Sequence, residues 1–239
     1  MTVRIHSVPR RAAAPDEYED AAYPAESGEF DGDTVRVAVA DGATTSSFSG
    51  EWARLLSGAW GAGELAGDGA WLPALVCRWR EAVDRHALSW FAADKLRAGS
   101  HAALLGVELH ADGRWSALSV GDCCLFLVRD DTLIEAFPAR RPEALQGRPA
   151  LVGTGMSVEE FRRNVQRADG WWQAGDTLFL MSDALGRWFL DAALVKRSSP
   201  WRILASVSAR PESFTAFVER LRESGALQPD DVTLASVLL

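Results

Sequence analysis

The sequence has few cysteines and histidines, and their placement argues against several kinds of site. The three cysteines are Cys77 and the adjacent pair Cys123 and Cys124. Neighbouring residues in a strand point to opposite faces, so neither a disulfide framework nor a zinc site is indicated. The four histidines have no mutual spacing typical of metal ligands. A Ser-His-Asp order and a Walker loop are also absent, which argues against a hydrolase triad and a P-loop nucleotide site.

Long apolar runs and an excess of positive charge are missing as well. No apolar segment approaches the length of a membrane span, and residues 1–11 lack the apolar core of a signal peptide. The net charge of −8 argues against binding nucleic acid through a general basic surface. We therefore expect a cytoplasmic protein with no nucleic-acid partner and no membrane partner.

The length of 239 residues suits one domain spanning 1–239. Apolar periodicity predicts strands and helices in separate groups. Strands are expected at 3–5, 35–40, in a meander from 99 to 137, at 177–181 and at 232–239. Helices are expected at 50–59, 71–93, 184–194, 200–209 and 211–224. Because the helices come in pairs between groups of strands, an antiparallel two-layer β core with helices outside is favoured over a parallel sheet.

The segment 137–170 has the least regular pattern in the chain. It holds the sequence PARRPEALQGRP, a Gly-Thr-Gly and the charged stretch EEFRRNVQRAD. We expect a variable, mobile excursion, a flap, with one short helix or strand. We also expect this segment to decide substrate choice, although its pattern is too irregular to assign roles to single residues.

The stretch 35–54 organises the rest of the chain. Val35, Val37 and Val39 alternate with smaller or polar residues, and this strand pattern stops at Asp41-Gly42. Since glycine has no Cβ to block the approach, a carboxylate and a backbone carbonyl can reach one hard cation together here. An ordinary Asp-Gly turn is the competing interpretation.

Further acids stand at predicted strand ends. They are Glu19-Asp20, Gly121-Asp122, Asp183 and Asp230-Asp231. Carboxylates from separate strands suit Mg²⁺ or Mn²⁺, which prefer oxygen ligands, and two such ions can bind a phosphoryl group and lower the pKa of a bridging water. For the acidic run at 16–20, a solvated loop is the alternative.

Five short motifs occur in the order and spacing found in metal-dependent protein phosphatases of the 2C type. They are Asp41-Gly42, Gly99-Ser100, Val120-Gly121-Asp122, Gly175-Asp176-Thr177 leading into Ser182-Asp183, and Asp230-Asp231-Val232-Thr233. From Tyr18 to Leu239 the chain resembles this family. The resemblance implies an α+β fold of four layers, αββα, with a central antiparallel β-sandwich flanked by helix pairs. It also implies a dinuclear Mn²⁺ or Mg²⁺ site and hydrolysis of phosphoserine and phosphothreonine by metal-bound water.

The resemblance assigns roles to the acids by position. Asp41 is similar to the carboxylate that bridges both metals, and Gly42 to the residue that offers its carbonyl to one of them. Asp183 and Asp230 are similar to ligands of the first metal. Asp41, Asp183 and Asp230 would therefore be the catalytic residues, acting through metal-bound water.

Three more acids complete the implied set. Glu19 is similar to the acid that holds water on the second metal, and Asp20 to the acid beside it. Asp122, together with Asp183, is similar to the pair that binds a third, weaker metal in bacterial members.

The chain departs from the family where phosphate would be bound. The family usually has an arginine four residues before the first acidic motif, and Pro15 stands there instead. The candidate replacements are Arg10 and Arg11. The glycine pair that usually follows the bridging Asp-Gly is replaced by Thr44-Thr45.

Three functions remain open on the sequence. The leading hypothesis is a phosphoprotein phosphatase with altered or narrow substrate choice, because the candidate ligands persist while phosphate-binding and turn residues differ. Its partner would be a Ser/Thr kinase or the target of one. Pro15 motivates the alternative of a catalytically weak or inactive module that binds a phosphoprotein or kinase. A phosphohydrolase for a small molecule is the third.

Overall fold

The computed structural model describes residues 1–11, 17–84 and 99–239. Its strands are β1 (Thr2–Val8), β2 (Ala21–Tyr23), β3 (Gly28–Glu29), β4 (Thr34–Gly42), β5 (His101–His110), β6 (Arg114–Val120), β7 (Cys124–Arg129), β8 (Thr132–Phe137), β9 (Val152–Gly153), β10 (Gln166–Trp171), β11 (Thr177–Met181) and β12 (Val232–Leu238). Its helices are α1 (Ser49–Gly61), α2 (Leu72–Asp84), α3 (Val158–Asn164), α4 (Asp183–Leu190), α5 (Pro200–Val207) and α6 (Pro211–Glu223). A 3-10 turn spans Pro142–Leu145, and a π-helical turn, Asp191–Val195, continues α4.

The strands form two antiparallel sheets. One has the order β3-β1-β12-β11-β7-β8, and the other has the order β10-β6-β5-β4-β2, with β9 paired to β5. Alternation along β4 divides its side chains between two cores. Val35, Val37 and Val39 pack between the sheets, whereas Ala38 and Ala40 face helix α1. The two sheets therefore form a sandwich with an apolar interior.

Helices cover both outer faces of the sandwich. Trp52, Leu56 and Trp60 of α1 pack with α2 on the outside of the second sheet. Phe189 of α4 and Phe214 of α6 pack on the outside of the first sheet. The predicted α+β architecture, a four-layer αββα sandwich, is confirmed.

The predicted helices agree closely with those observed. The helices expected at 50–59, 200–209 and 211–224 are α1, α5 and α6, and the one expected at 184–194 is α4 with its π-helical turn. Helix α2 begins at Leu72. The predicted continuation of α2 to residue 93 lies outside the described ranges.

The segment 137–170 contains more regular structure than expected. It holds the 3-10 turn, β9, α3 and most of β10, which pairs with β6 over six residues. A Ser157–Glu160 capping box starts α3. The sequence did not predict strand β10, because QRADGW is a half-exposed edge strand whose residues do not alternate between apolar and polar.

None of the helices within the described ranges is long and apolar enough to cross a membrane.

Helix α1 packs tightly against the second sheet at Gly106 in β5. The Trp60 indole Nε1 donates to the Val107 carbonyl at 3.2 Å, and the ring lies against Gly106, where an added Cβ would overlap it. Only glycine leaves room for the indole at this crossing.

Gly106→Ala is therefore expected to lower the free energy of unfolding by about 1–3 kcal/mol through overpacking. Gly58→Ala is the matched control, because Gly58 is exposed on α1 and an added Cβ there meets nothing within 4 Å. That change should raise stability by about 0.5–1 kcal/mol. Urea unfolding of both variants tests this, and an unchanged Gly106→Ala midpoint would contradict the packing at Trp60.

Candidate metal centre

The register of the two sheets brings the predicted acids to one end of the sandwich. Gly42 at the end of β4 pairs with Ala102 at the start of β5, and Val120 at the end of β6 pairs with Leu104. In the other sheet, Met181 at the end of β11 pairs with both Cys124 and Leu234. Acids that directly follow or precede these strand ends must therefore share one edge.

Four carboxylates line one small cavity at this end. The cavity is about 120 Å³ in volume and is lined by Asp41, Asp122, Asp183 and Asp230. The carboxyl groups of Asp41 and Asp183 lie close enough to share a hydrogen bond. Thus the structure brings together four acids that are separated by up to 189 positions along the chain.

Burial and mutual repulsion raise the pKa values of these acids. Burial is the main cause of the high pKa of Asp41, and the charges of Asp20 and Asp183 add to it. Burial, with the charge of Asp183, raises the pKa of Asp122 to about 7. The pKa values of Asp183 and Asp230 are also raised, again mainly by burial. The cavity is consequently short of positive charge.

Asp20 lies behind the cavity and is almost fully buried. The Thr233 hydroxyl donates to its Oδ2 at 2.8 Å, whereas its Oδ1 is buried without a hydrogen-bond partner among the described residues. Burial, with the charges of Asp231 and Asp183, raises the pKa of Asp20 to about 8. Such an uncompensated oxygen is costly unless a ligand or a cation satisfies it.

Gly42 allows two backbone segments to meet. Its N–H donates to the Glu19 carbonyl at 3.2 Å, and a Cβ on Gly42 would stand 2.6 Å from that oxygen. A larger residue would push the segment carrying Glu19 away from β4. The glycine of the Asp41-Gly42 pair is therefore required for packing, whichever role its carbonyl has.

Glu19 lies at the edge of the cluster, where it contacts Arg10. The Arg10 Nη1 donates to Glu19 Oε2 at 2.6 Å and lies 3.5 Å from Oγ1 of Thr44, which lines the cavity. The Ser49 hydroxyl donates to the other carboxylate oxygen of Glu19. Arg10 is thus placed beside the carboxylate cavity.

Arg11 lies elsewhere. Its guanidinium donates to Glu219 at 2.6 Å and to Glu223 at 3.1 Å, both on α6. Of the two candidate replacements for the missing arginine, only Arg10 reaches the acids of the cluster. Pro15 itself lies outside the described residues.

Asp231 is a residue whose role was missed in the sequence. Its carboxylate accepts from the Arg10 backbone N–H at 2.7 Å and from the Glu19 backbone N–H at 2.8 Å. It therefore joins the two segments that carry Arg10 and Glu19. Its position directly after Asp230 could have indicated a place near the site. The sequence does not show whether such a carboxylate binds a ligand or accepts hydrogen bonds from backbone N–H groups.

The donor set fits hard divalent cations. In the described part of the chain, no three His, Cys, Asp or Glu side chains already stand in an arrangement that would hold a metal ion. The chemistry nevertheless matches, because the cavity offers only oxygen donors and carries excess negative charge, and Asp20 has an unused buried oxygen.

Comparisons with known proteins define the fold. No family model and no curated protein sequence matches the chain. Among solved structures, the PstP catalytic domain, a serine/threonine protein phosphatase in complex with two manganese ions, matches with 20% identity and a TM-score of 0.57, over 98% of this chain and 97% of that one. The chain has the PPM phosphatase fold.

Two further solved structures agree. MsPP, a PPM Ser-Thr phosphatase from Mycobacterium smegmatis in complex with cacodylate, matches with 18% identity and a TM-score of 0.56, over 100% of this chain and 98% of that one. The photosystem II phosphatase PBCP matches with 16% identity and a TM-score of 0.59, over 100% and 98%.

At these identities, the likeness to PPM phosphatases concerns the fold alone. The fold resemblance stated from the sequence motifs is confirmed. The carboxylate cavity lies where both sheets of this PPM fold end, and it holds acids from four of the five motifs.

The raised pKa of Asp122 gives a pH-dependent prediction for the metal-free protein. Its folded pKa of about 7 exceeds the ordinary value of 3.8, so the folded state binds more protons than the unfolded state between these limits. The free energy of unfolding therefore falls as pH rises from 3.8 to 7. Asp122→Asn should raise that free energy at pH 8 by about 1–3 kcal/mol, with a much smaller effect at pH 4.5.

Urea unfolding in EDTA at the two pH values measures this difference. Asp112→Asn is the control, because Asp112 is an exposed acid whose pKa is lowered by hydrogen bonds from Arg114. The control should not gain stability at pH 8. Equal effects of Asp122→Asn at both pH values would contradict the repulsion within the cavity.

Proposed function

We propose that this protein is a metal-dependent phosphatase that removes phosphate from phosphoserine and phosphothreonine in proteins. The observation that carries the proposal is the convergence of Asp41, Asp122, Asp183 and Asp230 in one cavity at the end of a PPM-type sandwich. The manganese ions of the structurally similar PstP support the choice of cation. Phosphoproteins, including a Ser/Thr kinase or its targets, are the proposed partners.

The proposed metal site has two positions and a weaker third. Asp41, the carbonyl of Gly42, Asp183 and Asp230 would hold the central cations. Asp122 with Asp183 would hold the third. When bound, the cations supply Lewis acidity to a phosphoryl group and make hydroxide available near neutral pH. Asp20 lies near enough to Asp41 for its charge to raise the pKa of Asp41, and the Glu19 carbonyl accepts from the Gly42 N–H. From these positions Glu19 and Asp20 would hold water and neighbouring groups beside the cations.

Arg10 is proposed to contact the substrate phosphate. Its guanidinium is partly exposed, and it lies between Glu19 and Thr44 at the border of the cavity. A guanidinium has five N–H donors, and Glu19 engages one nitrogen, so other donors remain to pair with phosphate oxygens. The arginine that the family pattern places at position 15 would thus be replaced from the end of β1.

A non-catalytic phosphoprotein-binding module is the second candidate. It is favoured by two observations, the Asp41–Asp183 contact and the absence of a ready-made metal arrangement among the described residues. In that case Arg10 would bind a phosphate that is not released. Calorimetry with Mn²⁺ separates the two candidates, since the module needs no cation.

The first prediction from this proposal is manganese-dependent release of phosphate from a phosphothreonine peptide. Asp41→Asn should lower kcat/KM about 10²–10³-fold, because it removes a charge at the proposed centre of cation binding. Asp112→Asn, far from the cavity at the β5–β6 turn, should keep its activity. Calorimetry should show the accompanying loss of Mn²⁺ affinity.

If the folded, manganese-loaded wild type releases no phosphate and Asp41→Asn behaves identically, the proposal of a phosphatase is rejected. A panel of small phosphate monoesters run beside the peptide tests the third hypothesis, and faster turnover of a monoester than of any phosphopeptide would favour it.

The second prediction concerns Arg10. Arg10→Ala should raise KM for the phosphopeptide about tenfold by removing phosphate contacts, and Arg10→Lys should restore part of the loss because an ammonium is a point charge without the planar fork. Arg36→Ala is the matched control, since Arg36 on β4 also pairs with a glutamate, Glu108, at 2.8 Å, and is similarly exposed. An unchanged KM in Arg10→Ala would remove Arg10 from the phosphate site.

A further inference from the structure

A second and larger cavity adjoins the carboxylate cavity. Its volume is about 710 Å³. Three elements form its walls. The first is α4 with its π-helical turn, from Ala184 to Lys196. The other two are the 3-10 turn with residue 146 and the loop 225–229 after α6. Nothing in the proposed hydrolysis uses this space.

The two cavities are connected along the chain and in space. Ala184 lines the larger cavity and directly follows Asp183, and Pro229 lines it and directly precedes Asp230. A small cavity of about 80 Å³ lies between them. It shares Gln146 with the larger cavity, and Asp122 and Pro149 with the carboxylate cavity. The three cavities therefore form one groove that leads away from the proposed phosphate position.

The larger cavity has a positive lining, although the protein has a net charge of −8. Its cationic residues are Arg11, Arg187, Lys196 and Arg222, and its acidic residues are Glu143 and Asp191. The lining thus has two more basic than acidic residues. A groove with this charge attracts a negatively charged segment and disfavours a basic one.

Three of these cations already have partners. Lys196 pairs with Asp191 at 2.8 Å, and Arg11 pairs with Glu219 and Glu223. Arg222 is buried and donates to Glu219 and to backbone carbonyls. The fourth, Arg187, has no ion pair and no hydrogen bond from its guanidinium to any described residue, although its charge lowers the pKa of Asp183. Arg187 is therefore the cation left for a ligand.

Arg187 stands at the border between the two ends of the groove. It lies one helical turn after Asp183 on α4, so both side chains lie on the same face of the helix. It is only partly exposed. In the small middle cavity, Arg148 is a second arginine without an ion pair among the described residues, and it is fully exposed. Two unpaired guanidinium groups thus follow the groove outward from the carboxylates.

The rim of the larger cavity adds an apolar contact. Val195, in the π-helical turn, lines the cavity and is 62% exposed, and its neighbour Leu194 is 46% exposed. These two side chains place apolar surface directly beside the charged groove. A peptide with an acidic residue and an apolar neighbour would contact both parts.

We propose that the groove binds acidic residues flanking the phosphorylated residue of a protein substrate, with Arg187 as the main contact and Arg148 as a second one. This inference rests on the proposed phosphatase activity and adds its substrate class: phosphoproteins with Asp or Glu on one side of the phosphoserine or phosphothreonine. The continuity of the groove with the carboxylate cavity is the reason for choosing the flanks of the substrate over a separate small anion.

Three phosphothreonine peptides of equal length test the inference. One has Asp and Glu on the N-terminal side, one has them on the C-terminal side, and one has Gln and Ser on both sides. With manganese-loaded protein, one acidic peptide should have a kcat/KM about tenfold above the neutral peptide. The difference should lie in KM, because these flank contacts are the same in the ground state and the transition state.

Substitutions then assign the preference to the groove. Arg187→Gln should bring the acidic-to-neutral ratio close to one, and Arg187→Lys should retain most of it. Arg148→Gln, at an exposed position where the fold is not at risk, should lower the ratio by a smaller factor. Arg114→Gln makes the same change in net charge at the opposite end of β6 and should leave the ratio intact.

The outcomes separate this inference from the proposed function. Equal kcat/KM values for all three peptides would overturn the inference while the phosphatase stands. Release from no peptide would overturn the phosphatase and the inference together. A preference that survives in both Arg187→Gln and Arg148→Gln would place the acidic flank elsewhere. If Arg187→Gln lowers only kcat, and equally for all three peptides, Arg187 acts through Asp183 and does not contact the substrate flank, which would overturn the inference.

Discussion

Repulsion among buried carboxylates is the constraint on which this structure depends. Burial at one end of the sandwich raises the pKa values of Asp20, Asp41 and Asp122, and the charge of Asp183 adds to the shift of each. Such a cluster lowers the stability of the fold above neutral pH, and a purely structural fold would gain by losing it. Under the proposed function, the stability lost in this cluster would be the cost of a site that binds cations.

The surrounding fold holds these acids through its backbone. The buried Arg222 on α6 donates to the carbonyls of Pro9 at 2.8 Å and Asp230 at 2.5 Å, and so ties the end of β1 to the loop before β12. Asp231 joins the Arg10 and Glu19 segments in the same way. These contacts fix the loops that carry the acids. The Asp231 backbone N–H also donates to Oδ1 of Asp230 at 2.9 Å, so one oxygen of this cavity carboxylate is already engaged.

Local patterns predicted much of the fold, and they failed where tertiary contacts decide. The alternation of Val35, Val37 and Val39 predicted β4 and its buried face, because one strand between two packing surfaces has a strict period of two. The edge strand β10 gave no such signal, since its residues are half-exposed and do not alternate between apolar and polar, and its pairing with β6 fixes its position. Likewise, the convergence of acids at strand ends followed from antiparallel topology. The different roles of Arg10 and Arg11 could not be predicted in this way. They depend on α6, where Glu219 and Glu223 pair with Arg11 and leave Arg10 to Glu19.

Under the proposed function, the positive charge beside the acidic cavity would act on the approach of a phosphorylated substrate. A phosphate group carries close to two negative charges at neutral pH and would be repelled by four carboxylates unless cations intervene. Divalent ions in the cavity would reverse the local field, but only over a short range in salt solution. The approach of the phosphate over the last several Å would therefore need fixed cations at the rim.

Two arginines lie beside the cavity on different elements. Arg10 pairs with Glu19, and Arg187 on α4 lies near Asp183. In the proposed complex, a substrate whose acidic residues engage Arg187 would gain attraction before its phosphate reaches Arg10. The charge of the groove would then influence the choice of substrate.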